Sequence, residues 1–320
     1  MVGQGKGRQL SYSRAAFIYL FPAFLLMVVF VFYPIVNTII TSCKEEYRFL
    51  TGDFLRFSLQ NYTKIISDPI FHRSFFNTVF IAFVCVPVSM ISALAIALAL
   101  HSLTKLRNFL VTLFYLPQVT NIIAAGMVFA LMFNNNFGLV NVALGAFGIE
   151  PVAWISGVGI AGSAELYHAA YGRCLFVLFT YQLWQGLPLK VILFLGGLQN
   201  ISPQYYQAAQ LDGSSRWNVF RKITLPLLSP TMIYVFITSS ITAFKAYSAV
   251  VALFGNSYGP AGDNSKMMIT IVGYIMDSLG DYLKPGAVSM AGAAAVILML
   301  IIMVFTRLQM KVTNRWVYYQ

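Results

Sequence analysis

Charge is what this sequence has least of. Asp, Glu, Lys and Arg make up 10% of its 320 residues, against roughly 25% in soluble globular domains. That shortfall excludes an ordinary water-soluble surface. Acid is scarcer than base, with 10 Asp and Glu against 21 Lys and Arg. An ion-driven secondary transporter or channel would need acidic relays inside apolar segments, and none lies well inside one. Only three histidines occur, His72, His101 and His168, all at span ends or in loops. They form no cluster with acids that would hold a metal or run a membrane enzyme, so no catalytic and no metal-binding residues are assigned. The three cysteines, Cys43, Cys85 and Cys174, fit neither zinc nor CxxC spacing. Cys85 lies inside an apolar block as a packing residue, while Cys43 and Cys174 near the outer face leave a bridge open. No G-x-x-x-x-G-K-[ST] loop is present, since residues 3–7 contain Gly-Lys-Gly without the spacing or the hydroxyl. The chain therefore carries no apparent ATPase. No dense Lys/Arg run exists either, so the net charge of +11 does not point to a nucleic-acid partner.

What the chain does have is apolar residues, 58% of the total, and they fall in long blocks. Each block exceeds the ~20 residues that cross a bilayer at 1.5 Å per residue. Spans are expected near 15–41, 74–101, 108–133, 173–198, 229–255 and 286–308. The first is too long for the apolar core of a signal peptide and lacks a small-residue cleavage site, so it reads as a retained helix. Residues 134–172 read as an outer loop, with an interfacial helix at 137–147 and Trp154 at the headgroups. A seventh span near 152–170 would carry Glu165 and His168 and would invert everything downstream. The fold class is thus an all-α integral membrane protein of about six transmembrane helices, a single transmembrane domain over 1–320.

Basic residues orient it. With a cytoplasmic N-terminus, the inner segments hold Lys6, Arg8, Arg14, Lys105, Arg107, Arg216, Arg221, Lys222, Arg307, Lys311 and Arg315. The longer outer segments hold fewer, so the positive-inside bias places both termini in the cytoplasm. Asp212 is then the lone inner acid.

The inner segment 199–228 is expected to be a helix, a turn and a helix. Ser202 caps a helix that Pro203 opens. Asp212-Gly213 is a turn signal. Trp217, Phe220 and Ile223 recur at helical spacing, and Pro226 and Pro230 are expected to end that helix and redirect the chain. A plain connector could be far shorter, and Trp217 and Phe220 among polar residues suit a docking surface. In this segment Gln207-Ala208-Ala209, Asp212-Gly213-Ser214, Phe220, Ile223, Leu225-Pro226 and Pro230 resemble the EAA loop of ABC importer permeases. Gln207 stands where that family usually has Glu, which keeps hydrogen-bonding reach but loses charge. Residues 136–141 (Asn-Phe-Gly-Leu-Val-Asn) with Trp154, and Trp184-Gln185-Gly186 followed by Leu198-Gln199, Ile201 and Pro203, are similar to the maltose-type (MalF-like) carbohydrate permeases. Leu20, Pro22 and Tyr33-Pro34 suit the same group.

The resemblance implies a type I ABC importer permease fold in the cytoplasmic membrane of a prokaryote. It implies that Gln207, Ala208, Ala209, Leu211, Asp212, Gly213, Ser214, Phe220 and Pro226 couple to a separate ATPase. It also implies a second homologous permease, two ATPase subunits that bind ATP and Mg, and an extracytoplasmic solute-binding protein. The solute is expected to be a carbohydrate, most simply an oligosaccharide. Aromatic faces with amides and hydroxyls bind sugars, and the fourth and fifth spans offer Tyr181, Trp184, Gln185, Lys190, Lys245, Tyr247 and Ser248 as a pathway. The face assigned to the fourth span is Tyr181, Trp184, Gln185 and Pro188, with Gln182 beside it and Gln118, Thr120 and Asn121 of the third span as weaker candidates. Lysines within spans either snorkel or face a polar cavity. Two of them on one pathway would suit an anionic solute such as a uronate, a sialylated sugar or a glycerol phosphate.

Overall fold

The computed structural model describes residues 5–103, 105–155, 164–260 and 265–313. Apart from one isolated β-bridge, its regular secondary structure over these residues is helical. The helices are α1 (Gly5–Met27), α2 (Tyr33–Ser42), α3 (Gln60–Ile66), α4 (Pro69–Phe80), α5 (Val86–Ser102), α6 (Arg107–Val119), α7 (Ile122–Met132), α8 (Leu139–Ala146) and α9 (Ala164–Gln199). They continue with α10 (Pro203–Leu211), α11 (Arg216–Val219), α12 (Leu225–Phe244), α13 (Ser248–Phe254), α14 (Ile271–Gly280) and α15 (Ala287–Thr313). Five helical stretches are long and apolar enough to cross a bilayer: Ala16–Ser42, Pro69–Ser102, Glu165–Gln199, Arg216–Phe244 and Ala287–Thr313. A sixth follows if the bent pair α6–α7 counts as one span.

Three of these long helices contain a π-turn, and each π-turn ends two residues before a proline. Val28–Phe32 precedes Pro34, Ile81–Cys85 precedes Pro87 and Phe220–Thr224 precedes Pro226. A proline inside a helix lacks the N–H that bonds residue i−4, and its ring collides with that carbonyl. In each case the residue before the proline instead donates five residues back: Tyr33 N–H to Val28 O, Val86 N–H to Ile81 O, and Leu225 N–H to Phe220 O. The local i→i+5 register makes room for the ring, so the helix continues. This overturns the expectation that Pro226 and Pro230 end a helix. Arg216–Phe244 runs as one helix of 29 residues.

Two compact units form, one from Met1–Ile66 and Ile275–Ile297, the other from Ser67–Tyr274 and Leu298–Gln320. In the first, the chain after α2 doubles back, with Lys44 paired antiparallel to Phe57. Arg56 and Glu45 form an ion pair at 2.8 Å, and the Asn61 amide donates to the carbonyls of Ser42 and Lys44. Gly292 of α15 lies against α2: a Cβ there would stand 3.4 Å from the Thr38 carbonyl oxygen. Small residues allow such close helix approach in membranes.

In the second unit, α5 contributes Ala93 and Ala97, one turn apart, to a core with Val191, Phe194 and Leu198 of α9 and Leu228 and Val235 of α12. Gly197 admits α12, since a Cβ there would lie 2.7 Å from Leu228 Cδ1. Gly126 of α7 plays the same part against Ala252 of α13.

The helices depart from the expected spans in four places. The second begins earlier, at Pro69, because Asp68 caps it by accepting from Ile70 N–H at 2.8 Å. The third is broken: α6 and α7 meet at 96°, where Asn121 caps α7 by accepting from Ile123 and Ala124 N–H. The fourth begins by Ala164, so the last part of the expected outer loop is helix. Residues 156–163, inside the stretch weighed as a seventh span, lie outside the described residues. The fifth is interrupted at 245–247, between α12 and α13. Cys43, Cys85 and Cys174 all carry thiols, so no bridge forms between Cys43 and Cys174.

The motif at 136–141 with Trp154 turns out to be a staple. The Asn141 amide donates to the carbonyls of Asn135 and Val152, and its oxygen accepts from Val152 N–H and from the Trp154 indole at 2.9 Å. Asn141 is buried, so its removal leaves several groups unpaired at ~1–3 kcal/mol each. Asn141→Ala is expected to cost at least about 2 kcal/mol, read as a lower thermal unfolding midpoint in detergent. An unchanged midpoint would refute the staple.

Candidate functional site

Two features stand out, a cavity of mixed polar and apolar lining among the helices of the second unit and a largely exposed helix–turn–helix at 199–228. The cavity has a volume of about 370 Å³, within the size range of small-molecule pockets. Its walls come from α9, the π-turn and start of α5, the end of α6, and the α12–α13 break. On α9 the lining residues are Gln182, Gln185, Gly186, Leu189 and Lys190, whose spacing of three and four residues defines one helical face.

That face is not the one expected. Tyr181 and Trp184 lie one residue, about 100°, around the helix. They pack with Phe129 of α7, at centroid distances of 5.2 Å and 5.1 Å. Tyr181 is fully buried and its hydroxyl donates to the Ile122 carbonyl at 2.6 Å. It thereby pins the first residue of α7 just after the bend. Gln185, Lys190, Lys245, Tyr247 and Ser248 do line the cavity, joined by Gln118 of α6. Thr120 and Asn121 do not; Asn121 is spent on its cap. Cys85 and Ser89 also line it. Their i, i+4 spacing across the π-turn and the start of α5 was a readable face, but a cysteine and a serine in an apolar block are read as packing unless their neighbours are known.

Lys190 is nearly buried, at 9% exposure, and its ammonium donates to the Gly186 carbonyl at 3.1 Å. Gly186 makes this possible, because a Cβ there would lie 2.9 Å from Lys190 Nζ. Lys245 sits at the C-terminal cap of α12, where the helix dipole favours a cation. At the break itself the Ala246 carbonyl accepts from the Thr270 hydroxyl at 2.7 Å. Irregular backbone at membrane depth survives where such partners are available and where it lines a cavity.

At 199–228, Ser202 caps α10 by accepting from Gln204 N–H. The helix ends in a Schellman motif: Gly213 N–H donates to Gln210 O at 3.1 Å and Ser214 N–H to Ala209 O at 3.0 Å. Gly213 has φ +67°, a left-handed conformation that glycine adopts without penalty. Asp212-Gly213 is thus the stop that aims the next helix. Ser215 then caps α11 through Asn218 N–H. Gln207, Ala208, Leu211, Asp212, Gly213 and Ser214 are exposed, Ala209 is buried, and Phe220 and Pro226 are half-buried. Leu211 is 90% exposed and Trp217 67%. Phe220 packs on Trp217 at 5.5 Å.

Several helices of membrane-spanning length around a cavity that polar groups help to line define a multi-pass membrane protein. The chain belongs to the family described as binding-protein-dependent transport system inner membrane component, which matches residues 86–317. It is 31% identical over 316 residues to the arabinooligosaccharides transport system permease protein AraP of Bacillus subtilis, covering 97% of this chain and 93% of that one. It is 29% identical over 301 residues to the trehalose/maltose transport system permease protein MalF of Thermococcus litoralis, covering 94% of each. The fold matches a chain in the crystal structure of a bacterial alginate ABC transporter in complex with an alginate pentasaccharide-bound periplasmic protein. There the TM-score is 0.78 at 16% identity, over 96% of each chain.

Proposed function

We propose that this permease forms half of the pathway of an ATP-driven carbohydrate importer, most simply for an oligosaccharide, and that segment 199–228 receives the stroke of a separate ATPase. One observation carries the coupling. The helix that begins at Arg216, directly after the exposed turn, continues unbroken to Phe244. Its far end bears Thr238, Thr242 and Lys245 on the cavity wall. A helix of 29 residues spans about 43 Å at 1.5 Å per residue, so one rigid rod links the turn to the cavity. Movement of α10 and α11 would tilt that rod and change access to the cavity. The Tyr206 hydroxyl, paired with Thr224 Oγ1 at 3.3 Å, ties α10 to the same rod.

The carbohydrate assignment rests on the relatives, named for arabinooligosaccharides, trehalose and maltose, and on amide and hydroxyl groups at the cavity. Glutamines 118, 182 and 185 with Ser239, Thr242 and Ser248 offer the donors and acceptors that sugar hydroxyls need. In this reading both termini and segment 199–228 lie in the cytoplasm of a prokaryote. The partners are a second homologous permease, two ATPase subunits holding ATP and Mg, and an extracytoplasmic binding protein. The chain itself performs no hydrolysis.

Co-purification tests the reading. Expressed with the permease, ATPase and binding-protein chains of its own transport system, the protein is expected to pull down the ATPase and to take up oligosaccharide only with ATP. Assembly without an ATPase, or uptake indifferent to ATP, would overturn it. A cysteine placed at Ser214 should react with impermeant thiol reagent only from the cytoplasmic side.

A further inference from the structure

We infer that the cavity selects an acidic saccharide, one that carries a carboxylate or another oxyanion. The inference rests on the reading of the cavity as the solute path. Among the described residues that line it, the charged groups are Lys190 and Lys245, and no Asp or Glu is present. The cavity is therefore cationic in a setting where membrane insertion makes unpaired charge costly.

Snorkelling does not account for Lys190. A snorkelling lysine runs its stem toward the nearer helix end, which for Lys190 is Gln199. Its ammonium instead bonds the carbonyl of Gly186, four residues the other way, toward the middle of α9. The side chain follows the Cα–Cβ direction back along the helix, and the missing Cβ at Gly186 leaves the room. The amine is held at the cavity wall, with one backbone carbonyl as its partner among the described residues. An ammonium has three donors. A neutral sugar hydroxyl can occupy the remaining ones, but only an anion also offsets the charge. Gln182 and Gln185 on the same α9 face supply neutral groups for the sugar ring, while Lys245 approaches from the α12–α13 break.

The importer, assembled in proteoliposomes with its own partner chains, decides this with three labelled probes. They are a 1,4-linked galacturonic acid disaccharide, the galactose disaccharide of the same linkage, and a phosphorylated disaccharide. The wild type is expected to take up at least one acidic probe at least tenfold faster than the neutral one, and the two acidic arms separate carboxylate from phosphate recognition. Lys190→Gln should lower acidic uptake at least tenfold, and by a larger factor than it lowers neutral uptake, so that the acidic-to-neutral ratio falls. Lys190→Arg should restore most of the acidic uptake, and Lys245→Gln should act in the same direction as Lys190→Gln. Preference for the neutral disaccharide, or acidic uptake unchanged in both Gln variants, would overturn the inference while leaving the carbohydrate importer intact. If ATP drives none of the three probes, the carbohydrate reading and the inference fall together.

Discussion

Leu211→Arg is expected to lower ATP-driven uptake at least tenfold while leaving the thermal midpoint of the isolated protein within about 2 °C. Leu211 ends α10 and is 90% exposed, so removing it takes no apolar surface out of a core. Substitutions at such positions usually change stability by less than about 0.5 kcal/mol. Arginine is chosen because a cation in the last turn of a helix complements its dipole. A folding defect would then be hard to blame. The Schellman bonds that follow use backbone only, so the turn is kept. In an apolar docking pocket the same residue acts very differently. Loss of a buried anchor costs about 2 kcal/mol or more, and 1.4 kcal/mol is tenfold in affinity, before the cost of a desolvated guanidinium is added. The ATPase should therefore no longer co-purify. Retention of the ATPase and normal uptake would remove Leu211 from the docking surface. Gln207→Glu, at an exposed position on the same helix, gives the complementary measurement: it restores the charge the family usually has there and should not weaken assembly.

The turn at 199–228 was the most legible part of the molecule because its signals are local. Ser202, Pro203 and Gly213 each fix a backbone conformation at one residue, and the caps follow. The prolines misled because their effect depends on the register of the preceding turn. A π-turn before Pro226 converts the expected stop into a continuous helix, and the same device carries the chain past Pro34 and Pro87. The bend after Val119 had a local signal in Asn121, a residue suited to capping, but it stood inside an apolar block long enough to read as one span. The break at 245–247 has no comparable mark. It is held by Thr270, 24 residues later, and such a partner is invisible to periodicity. The cavity was half legible for a geometric reason. Polar residues on α9 stand out in the sequence and several line the cavity, yet a shift of one residue separates the face of Gln182, Gln185 and Lys190 from that of Tyr181 and Trp184. Only packing against Phe129 decides which of the two faces inward to the cavity.

Asn77→Leu is expected to be the most destabilising single change in the second unit. Residues 267–270 are fully buried yet lie outside any helix. Unpaired backbone groups in such a place cost several kcal/mol each in hydrocarbon, so they need partners from elsewhere. Asn77 of α4 supplies two: its amide donates to Met267 O at 3.1 Å and Ile269 O at 2.8 Å. Its oxygen accepts from the Tyr171 hydroxyl at 2.7 Å. Thr78 beside it accepts from Ile271 N–H at 3.0 Å, and Arg73 reaches the Ser265 carbonyl. Interhelical hydrogen bonds in membrane proteins average only about 0.6 kcal/mol, because the unfolded chain finds other partners. That average concerns side chains between intact helices. Here the acceptors are carbonyls of irregular backbone with no helical bond to fall back on, so the higher figure of ~1–3 kcal/mol per orphaned group applies. Two carbonyls and one hydroxyl then give roughly 3–9 kcal/mol, a large share of a typical stability of about 5–15 kcal/mol. Tyr171→Phe removes only one of these bonds and should cost about 1 kcal/mol. Thermal unfolding in detergent would rank the two variants, and hydrogen exchange should rise at 267–271 in Asn77→Leu but not in Tyr171→Phe. Equal midpoints for the two would mean that the buried segment is held by its own apolar side chains, and that Asn77 serves Tyr171 alone.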